Sequence, residues 1–182
     1  MIRTDRLDLI PATAAHLRAE LAGRLQFQLA IGIDVPPSWP PDLYDESAVE
    51  YTLAQLTAQR DIEPWGMYYI VYRDAGDGRS VLVGVGGFKG PPDDNGRVEI
   101  GYGVVSEFQR RGLATEAVGG MVRFAMSTPG VARIITQTLP HLAPSIGVLL
   151  QAGFQFAGPG HDPSAPPAEE VVRYELQRPP PV

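Results

Sequence analysis

Two different periodicities meet in the stretch RVEIGYGVVSEFQRRGLATEAVGGMVRFA, residues 97–125. Val98, Ile100, Tyr102 and Val104 alternate with Arg97, Glu99, Gly101 and Gly103, the pattern of a half-buried strand. Further on, Ala114, Ala117, Val118, Met121, Val122 and Ala125 fall on one face of a helix, with a period of about 3.6. Between them SEFQRRGL has to turn the chain, and Gly112 marks the turn. A strand, a tight turn and a helix in immediate succession commit the chain to packing helix on sheet. They also put the unpaired N–H groups of a helix start at the end of a strand, an arrangement suited to holding phosphate. Helix starts usually attract acids, yet Arg110 and Arg111 stand here, either as counter-charge for something strongly negative or as solvated charges beside a glycine that merely shapes the turn. Gly112 has no side chain to block an anion, and Ala114 is small.

The flanking sequence extends this layering. RLDLI (6–10) alternates and ends at Pro11, a first strand; TAAHLRAELAGRLQFQLAI is helical with a break near Gly23. DVPPSWPPDLYD (34–45), with four prolines and Trp39, is a stiff surface loop. ESAVEYTLAQLTAQR reads as a helix with Val49, Leu53 and Leu56 on one face and Ser47 as its cap. MYYIVYR and SVLVGVGGFKG form a strand pair around DAGDG, and PPDDNG turns the chain into the strand described above. After the helix to about Met126 come the strand ARIITQTL, a short helix PSIGVLLQAGF ending at Gly153, the strand FQFAG, the loop GPGHDPSAPP and a closing strand EEVVRYELQ. The order β-α-α-α-β-β-β-α-β-α-β-β predicts one α+β domain over 1–178, with about seven strands in a mixed, mostly antiparallel sheet flanked by helices. Residues 179–182 are a frayed tail.

Composition narrows the chemistry. The chain has 182 residues, 44% hydrophobic and 20% charged, enough for one real core. Its net charge of −6 argues against nucleic acid or an anionic membrane as partner, and the absence of cysteine excludes disulfides, thiolate metal sites and a cysteine nucleophile. His16, His141 and His161 are scattered, so no metal is expected. No signal-like or membrane-length apolar run occurs, which reads as cytoplasmic. GVGGFKG is not G-x-G-x-x-G, and no P-loop pattern is present, so a Rossmann or P-loop site is unsupported.

QRRGLA (109–114) fits the Q/R-x-x-G-x-G/A signature of the GNAT superfamily of acetyl-CoA-dependent N-acetyltransferases, and VEIGYGVVSEFQRRGLATEAVGGMVRFA resembles its central strand and CoA-binding helix. IRTDRLDLIPAT, EIGY, ATEA and PSIGVLLQAGF are similar to the RimJ/RimL-like branch, which includes acetyltransferases of ribosomal-protein N-termini. The resemblance covers about 2–11 and 81–176. It implies that Gln109, Arg110, Arg111, Gly112, Leu113, Ala114 and Thr115 form the cofactor-binding turn, with N–H groups from Arg111 to Thr115 on the CoA pyrophosphate. It further implies a sheet splayed at Val104 and Val105, where pantetheine pairs with the strand and an N–H near Val104 polarises the thioester carbonyl.

Direct transfer to an amine needs a base, because an α-amino group has a pKa of about 8. Glu99, beside Gly101 and Gly103 on an open strand face, is the candidate; the alternatives are a solvated carboxylate or one tied to Arg97. The leaving thiolate needs a proton donor. Where many superfamily members carry Tyr this chain has Leu149, and of the branch's N-x-x-S only Ser145 matches, with Leu142 at the Asn position. Ser145 is therefore the donor candidate, against an ordinary first-turn residue after Pro144. His141 is a weaker one.

The acceptor side is less specified. Trp39 and Tyr44 either wall an acceptor pocket or pack inside with Trp65, and Asp34, Asp42, Asp45 and Glu46 suit a cationic acceptor or a solvated face. A protein N-terminus, an amino acid, a polyamine or an antibiotic all fit, on a monomer or homodimer. Two rival readings are a noncatalytic acyl-CoA-binding domain on the same fold and a nucleotide- or phosphate-binding module.

Overall fold

The computed structural model describes residues 1–58, 63–73, 78–161 and 170–179. Its strands are β1 (Ile2–Arg3), β2 (Leu7–Pro11), β3 (Met67–Tyr72), β4 (Val81–Phe88), β5 (Arg97–Val104), β6 (Arg133–Thr138), β7 (Gln155–Pro159) and β8 (Val172–Gln177). They form one sheet in the order β1-β2-β3-β4-β5-β6-β8-β7. Every neighbouring pair is antiparallel except β5 with β6. The α+β reading with a mixed, mostly antiparallel sheet therefore holds, with eight strands in place of about seven. The extra strand is β1, which pairs Ile2 with Leu9 and Arg3 with Asp8 and is too short to show a periodicity. Most of GPGHDPSAPP, and the tail beyond residue 179, lie outside the described residues.

The helices are α1 (Ala14–Ala22), α2 (Arg24–Ile31), α3 (Glu46–Ala58), α4 (Leu113–Ser127) and α5 (Ala143–Gln151). The break between α1 and α2 falls at Gly23, as its residue type suggests. The cap of α3 is Asp45 rather than Ser47: Asp45 Oδ1 accepts from Ala48 N at 3.1 Å and from Ser47 Oγ at 2.6 Å. These bonds, Ser47's first, hold the Asp45 carboxyl below its usual range.

Two cores sandwich the sheet. On one side Leu7, Leu9, Tyr68, Ile70, Val98 and Ile100 pack against Leu113, Ala117, Val118, Met121 and Ala125 of α4 and Leu149 of α5. On the other, Tyr69, Val71, Leu82 and Val85 pack against Leu17, Phe27, Val49 and the loop residue Tyr44. The α4 stripe differs from its periodic reading: Leu113 and Gly120 are buried while Ala114 and Val122 are only half-buried, so the helix presents its first residue to the core. Trp65 stacks on Phe88 and Phe124 in the first core, whereas Trp39 packs on Phe27, Tyr44 and Tyr69 in the second. The two tryptophans thus sit on opposite faces.

The sheet opens where β5 outlives its parallel partner. Pairing with β6 runs only from Arg97↔Arg133 to Ile100↔Thr136, after which β6 continues with β8 to Thr138↔Val172. On its other edge β5 stays paired to β4 up to Val104↔Gly84. The approach there is close: a Cβ on Gly84 would lie 2.1 Å from Gly103 O, so only glycine fits.

Candidate active site

Antiparallel ladders turn alternate residues to alternate neighbours. Lys89 N donates to Glu99 O and Val105 N to Val83 O, both at 2.9 Å, so the odd-numbered residues of β5 face β4. The backbone groups of Tyr102 and Val104 consequently face the gap that β6 has left. Val104 O accepts from Gln109 Nε2 at 2.9 Å, which leaves the Val104 N–H directed into the gap. Val105 is buried, and its N–H is already committed to Val83.

A 3-10 turn, Ser106–Phe108, carries the chain from β5 to α4. Gly112 is the N-cap with φ of 75°, a left-handed conformation that a side chain disfavours by roughly 1–2 kcal/mol. No side chain caps α4, so its first-turn N–H groups are open to an anion. Leu113 contributes backbone only, since its side chain is in the core. Arg110, with φ of 59°, is exposed. Arg111 braces the turn: its Nη2 donates to Glu107 O at 3.0 Å, and its guanidinium lies 4.9 Å from the Phe108 ring centroid.

The acid in the first turn of α4 does not compete for that anion. Glu116 Oε1 accepts from Thr4 Oγ1 at 2.6 Å and from Arg6 N at 2.7 Å, and Oε2 from Arg6 Nε at 2.6 Å. Burial opposes its charge, but these bonds and the Arg6 guanidinium outweigh burial and hold its carboxyl below the usual range. Arg6 Nη1 also donates to Arg111 O at 3.1 Å, so the N-terminal segment is tied to the helix start. This brace escaped sequence reasoning.

Three hydroxyls bridge the far side of the gap. Tyr102 OH, from β5, is 3.0 Å from Ser145 O and 3.1 Å from Ser145 Oγ on α5, and Thr138 Oγ1 at the end of β6 donates to Ser145 Oγ at 3.1 Å. Burial pushes the Tyr102 phenol up, with the Ser145 hydrogen bond opposing. Tyr102 was legible as a strand residue, but its hydroxyl contact was not. Leu149 is fully buried, and Leu142 stands at the N-cap of α5 with no side chain to cap it. His141 is exposed.

Glu99 lies on the opposite face of β5, with Gly101 and Gly103, and Pro41 of the proline-rich loop covers Gly103. Its partner is not Arg97, which pairs with Asp93 at 3.0 Å. Lys89 Nζ lies 2.8 Å from Glu99 Oε1, and Gln137 Nε2 donates to the same oxygen at 3.1 Å. Both contacts fall on Oε1, and among the described residues no side chain bonds to Oε2. The signal for Lys89 is its place directly across the hairpin, since Phe88 pairs with Ile100. Among the described residues no group of His, Asp and Glu is arranged to hold a metal, and no helix is long and apolar enough to cross a membrane.

The splayed strand and the uncapped helix start both lie within a segment that matches a known family. Residues 6–155 match the acetyltransferase (GNAT) domain family, and the chain belongs to that family of acetyltransferases. It is 28% identical over 134 residues to the uncharacterized N-acetyltransferase YjdG of Bacillus subtilis (strain 168), covering 74% of this chain and 77% of that protein. RimL, a ribosomal L7/L12 alpha-N-protein acetyltransferase solved with coenzyme A, superposes with a TM-score of 0.65 at 17% identity over 96% of this chain and 95% of its own. The microcin C7 self-immunity acetyltransferase MccE, solved with acetyl-CoA and AMP, superposes with a TM-score of 0.65 at 17% identity, covering 96% and 93%.

Proposed function

We propose that the chain transfers the acetyl group of acetyl-CoA to a primary amine by direct attack. The observation that carries this reading is the junction of two open backbone sites: the Val104 N–H in the gap and the uncapped start of α4 beyond Gly112. These fit the two ends of an acyl pantetheine diphosphate, an amide-bearing arm that takes strand-like hydrogen bonds and a dianionic group that takes helix N–H groups. Arg111 to Thr115 hold the diphosphate through backbone N–H groups, and Arg110 adds charge.

The chemistry divides between the two faces of β5. Val104 N–H donates to the thioester carbonyl oxygen as charge builds there. Glu99 removes the amine proton at Oε2, directly or through a water, as the new C–N bond forms. Ser145 donates its proton to the sulfur as the C–S bond breaks, and solvent returns a proton to the Ser145 oxygen. Acceptors reach the thioester from the face of Glu99, below the Pro36–Tyr44 loop, so the amine and the leaving sulfur stand on opposite sides of the strand.

A thermal-shift titration with acetyl-CoA, followed by thiol release over N-terminal peptides and small amines, tests the reading. Acetyl-CoA should raise the melting temperature, and at least one primary amine should release thiol. Stabilisation without release across the panel would favour a noncatalytic acyl-CoA-binding domain. Stabilisation by ATP in place of acetyl-CoA would overturn the reading.

A further inference from the structure

On the α1–α3 side of the sheet, a cavity of about 270 Å³ is lined by Glu20, Arg24, Trp39, Tyr44, Asp45 and Glu46, among others. Glu20 is the half-buried carboxylate among them. Its Oε1 accepts from Trp39 Nε1 at 2.8 Å, and its Oε2 accepts from Tyr69 OH at 2.6 Å and Tyr44 OH at 3.2 Å. Burial pushes the Glu20 carboxyl up, against these three hydrogen bonds. All three donors are neutral, and among the described residues no cation lies within ion-pair distance of it. Arg24, on the wall of the same cavity, instead donates from Nη1 to Val35 O at 2.9 Å.

A carboxylate held by neutral donors alone is an unbalanced charge in a partly desolvated place. It offers about four lone-pair positions, of which three are taken. The walls beside it are aromatic: the Trp39 and Tyr44 rings meet edge-to-face at 69° with centroids 6.1 Å apart, and each directs its polar edge at Glu20. Asp45 and Glu46 add negative charge at the rim. A carboxylate in an aromatic-walled pocket suits cations that are too large and too weakly hydrated for an all-oxygen site.

We propose that this pocket binds an organic ammonium group through Glu20, with the side chains of Trp39 and Tyr44 as its walls. Its position suits the second, non-reacting cation of an acceptor, a step that rests on the acetyltransferase reading. Tyr69, whose hydroxyl donates to Glu20, pairs with Val85, and Val85 with Gly103, so the Tyr69 backbone lies two strand spacings, about 10 Å, across the sheet from β5. The intervening loop touches both places, since Pro41 covers Gly103 while Trp39 and Tyr44 line the pocket.

Choline and its neutral isostere 3,3-dimethylbutan-1-ol, titrated against the full chain by tryptophan fluorescence, test the site without any turnover. The chain has two tryptophans and Trp65 lies in the opposite core, so a change reports Trp39. Choline should bind at least about tenfold more tightly than the isostere, and Glu20→Gln should remove that preference. Equal response to both probes, or none, would overturn the proposal even if Glu20→Gln fails to fold. Acetyl-CoA binding measured on the same sample separates this failure from failure of the donor site.

Discussion

Tyr102 OH lies 3.0 Å from the carbonyl oxygen of Ser145 and 3.1 Å from its hydroxyl, across the gap left where β5 parts from β6. Thr138 donates to the same Ser145 Oγ. With Tyr102 donating to the carbonyl and Thr138 to Oγ, the Ser145 hydroxyl donates to Tyr102 OH, and to serve as the proposed donor it turns that proton to the sulfur. Ser145→Ala should therefore lower kcat by about tenfold or more while leaving acetyl-CoA affinity nearly unchanged. Tyr102→Phe should produce a smaller drop, because it removes a positioning bond rather than the donor. Steady-state thiol release with a separate acetyl-CoA titration checks both; unchanged kcat in Ser145→Ala would remove it as the donor.

Glu99 reaches Lys89 and Gln137 through one oxygen only. Replacement by Gln keeps the shape and the hydrogen bond but removes the proton acceptor. Glu99→Gln should reduce kcat by about 10²–10⁴-fold with acetyl-CoA affinity retained. Lys89→Met should change kcat much less, as the carboxylate survives. Turnover within a few-fold of the parent in Glu99→Gln would leave the base unassigned.

The turn at Gly112 makes a prediction that separates backbone from side-chain charge. An aspartate there would take a left-handed φ of 75° and set a negative charge before the open N–H groups of α4. Gly112→Asp should weaken CoA binding by about tenfold or more. Arg110→Ala and Arg111→Ala should each weaken it less, and Arg111→Ala should also loosen the turn through loss of its bond to Glu107 O. Calorimetric titration of CoA against the three variants gives the ranking, and an arginine variant losing more than Gly112→Asp would reverse the assignment of roles.

What could be read from sequence here follows the range of the interactions. The strand to Val104 and the helix from Leu113 announce themselves through local periodicity, and Gly112 through turn chemistry, so the elements that frame the proposed donor site were legible. The Glu99–Lys89 pair depends on hairpin register, which PPDDNG does not specify, and Arg97 was the nearer-looking partner. Tyr102 reads as a core-face residue, and its ring packs there; only the placement of α5 shows that its hydroxyl meets Ser145. The contact of Arg6 with Glu116 spans 110 positions, beyond any local pattern.

That long-range brace has a pH signature. The Glu116 carboxyl is held below its ordinary value of 4.5 in the folded chain. A depressed folded pKa gives stability that is present above the unfolded value and is lost as pH falls through the folded one. Glu116→Gln should thus melt several degrees lower than the parent at pH 7, and the difference should narrow steadily below about pH 4.5. Melting curves of both proteins across that range check this, and a difference independent of pH would mean that shape rather than charge holds the N-terminal segment to α4.

The departure at Leu142 is a test of stability rather than chemistry. Leu142 occupies the N-cap of α5, where no side chain accepts from the first-turn N–H groups, and Pro144 follows within the first turn. An asparagine there supplies the missing acceptor, and replacing a non-capping residue by Asn is worth about 0.5–2 kcal/mol. Because α5 carries both Leu149 in the core and Ser145 at the gap, a firmer helix start also fixes the Ser145 hydroxyl relative to Tyr102. Leu142→Asn should raise the melting temperature by a few degrees and leave kcat unchanged or higher. A lower melting temperature would show that the half-buried Leu142 side chain contributes more through packing than a cap contributes through its hydrogen bond.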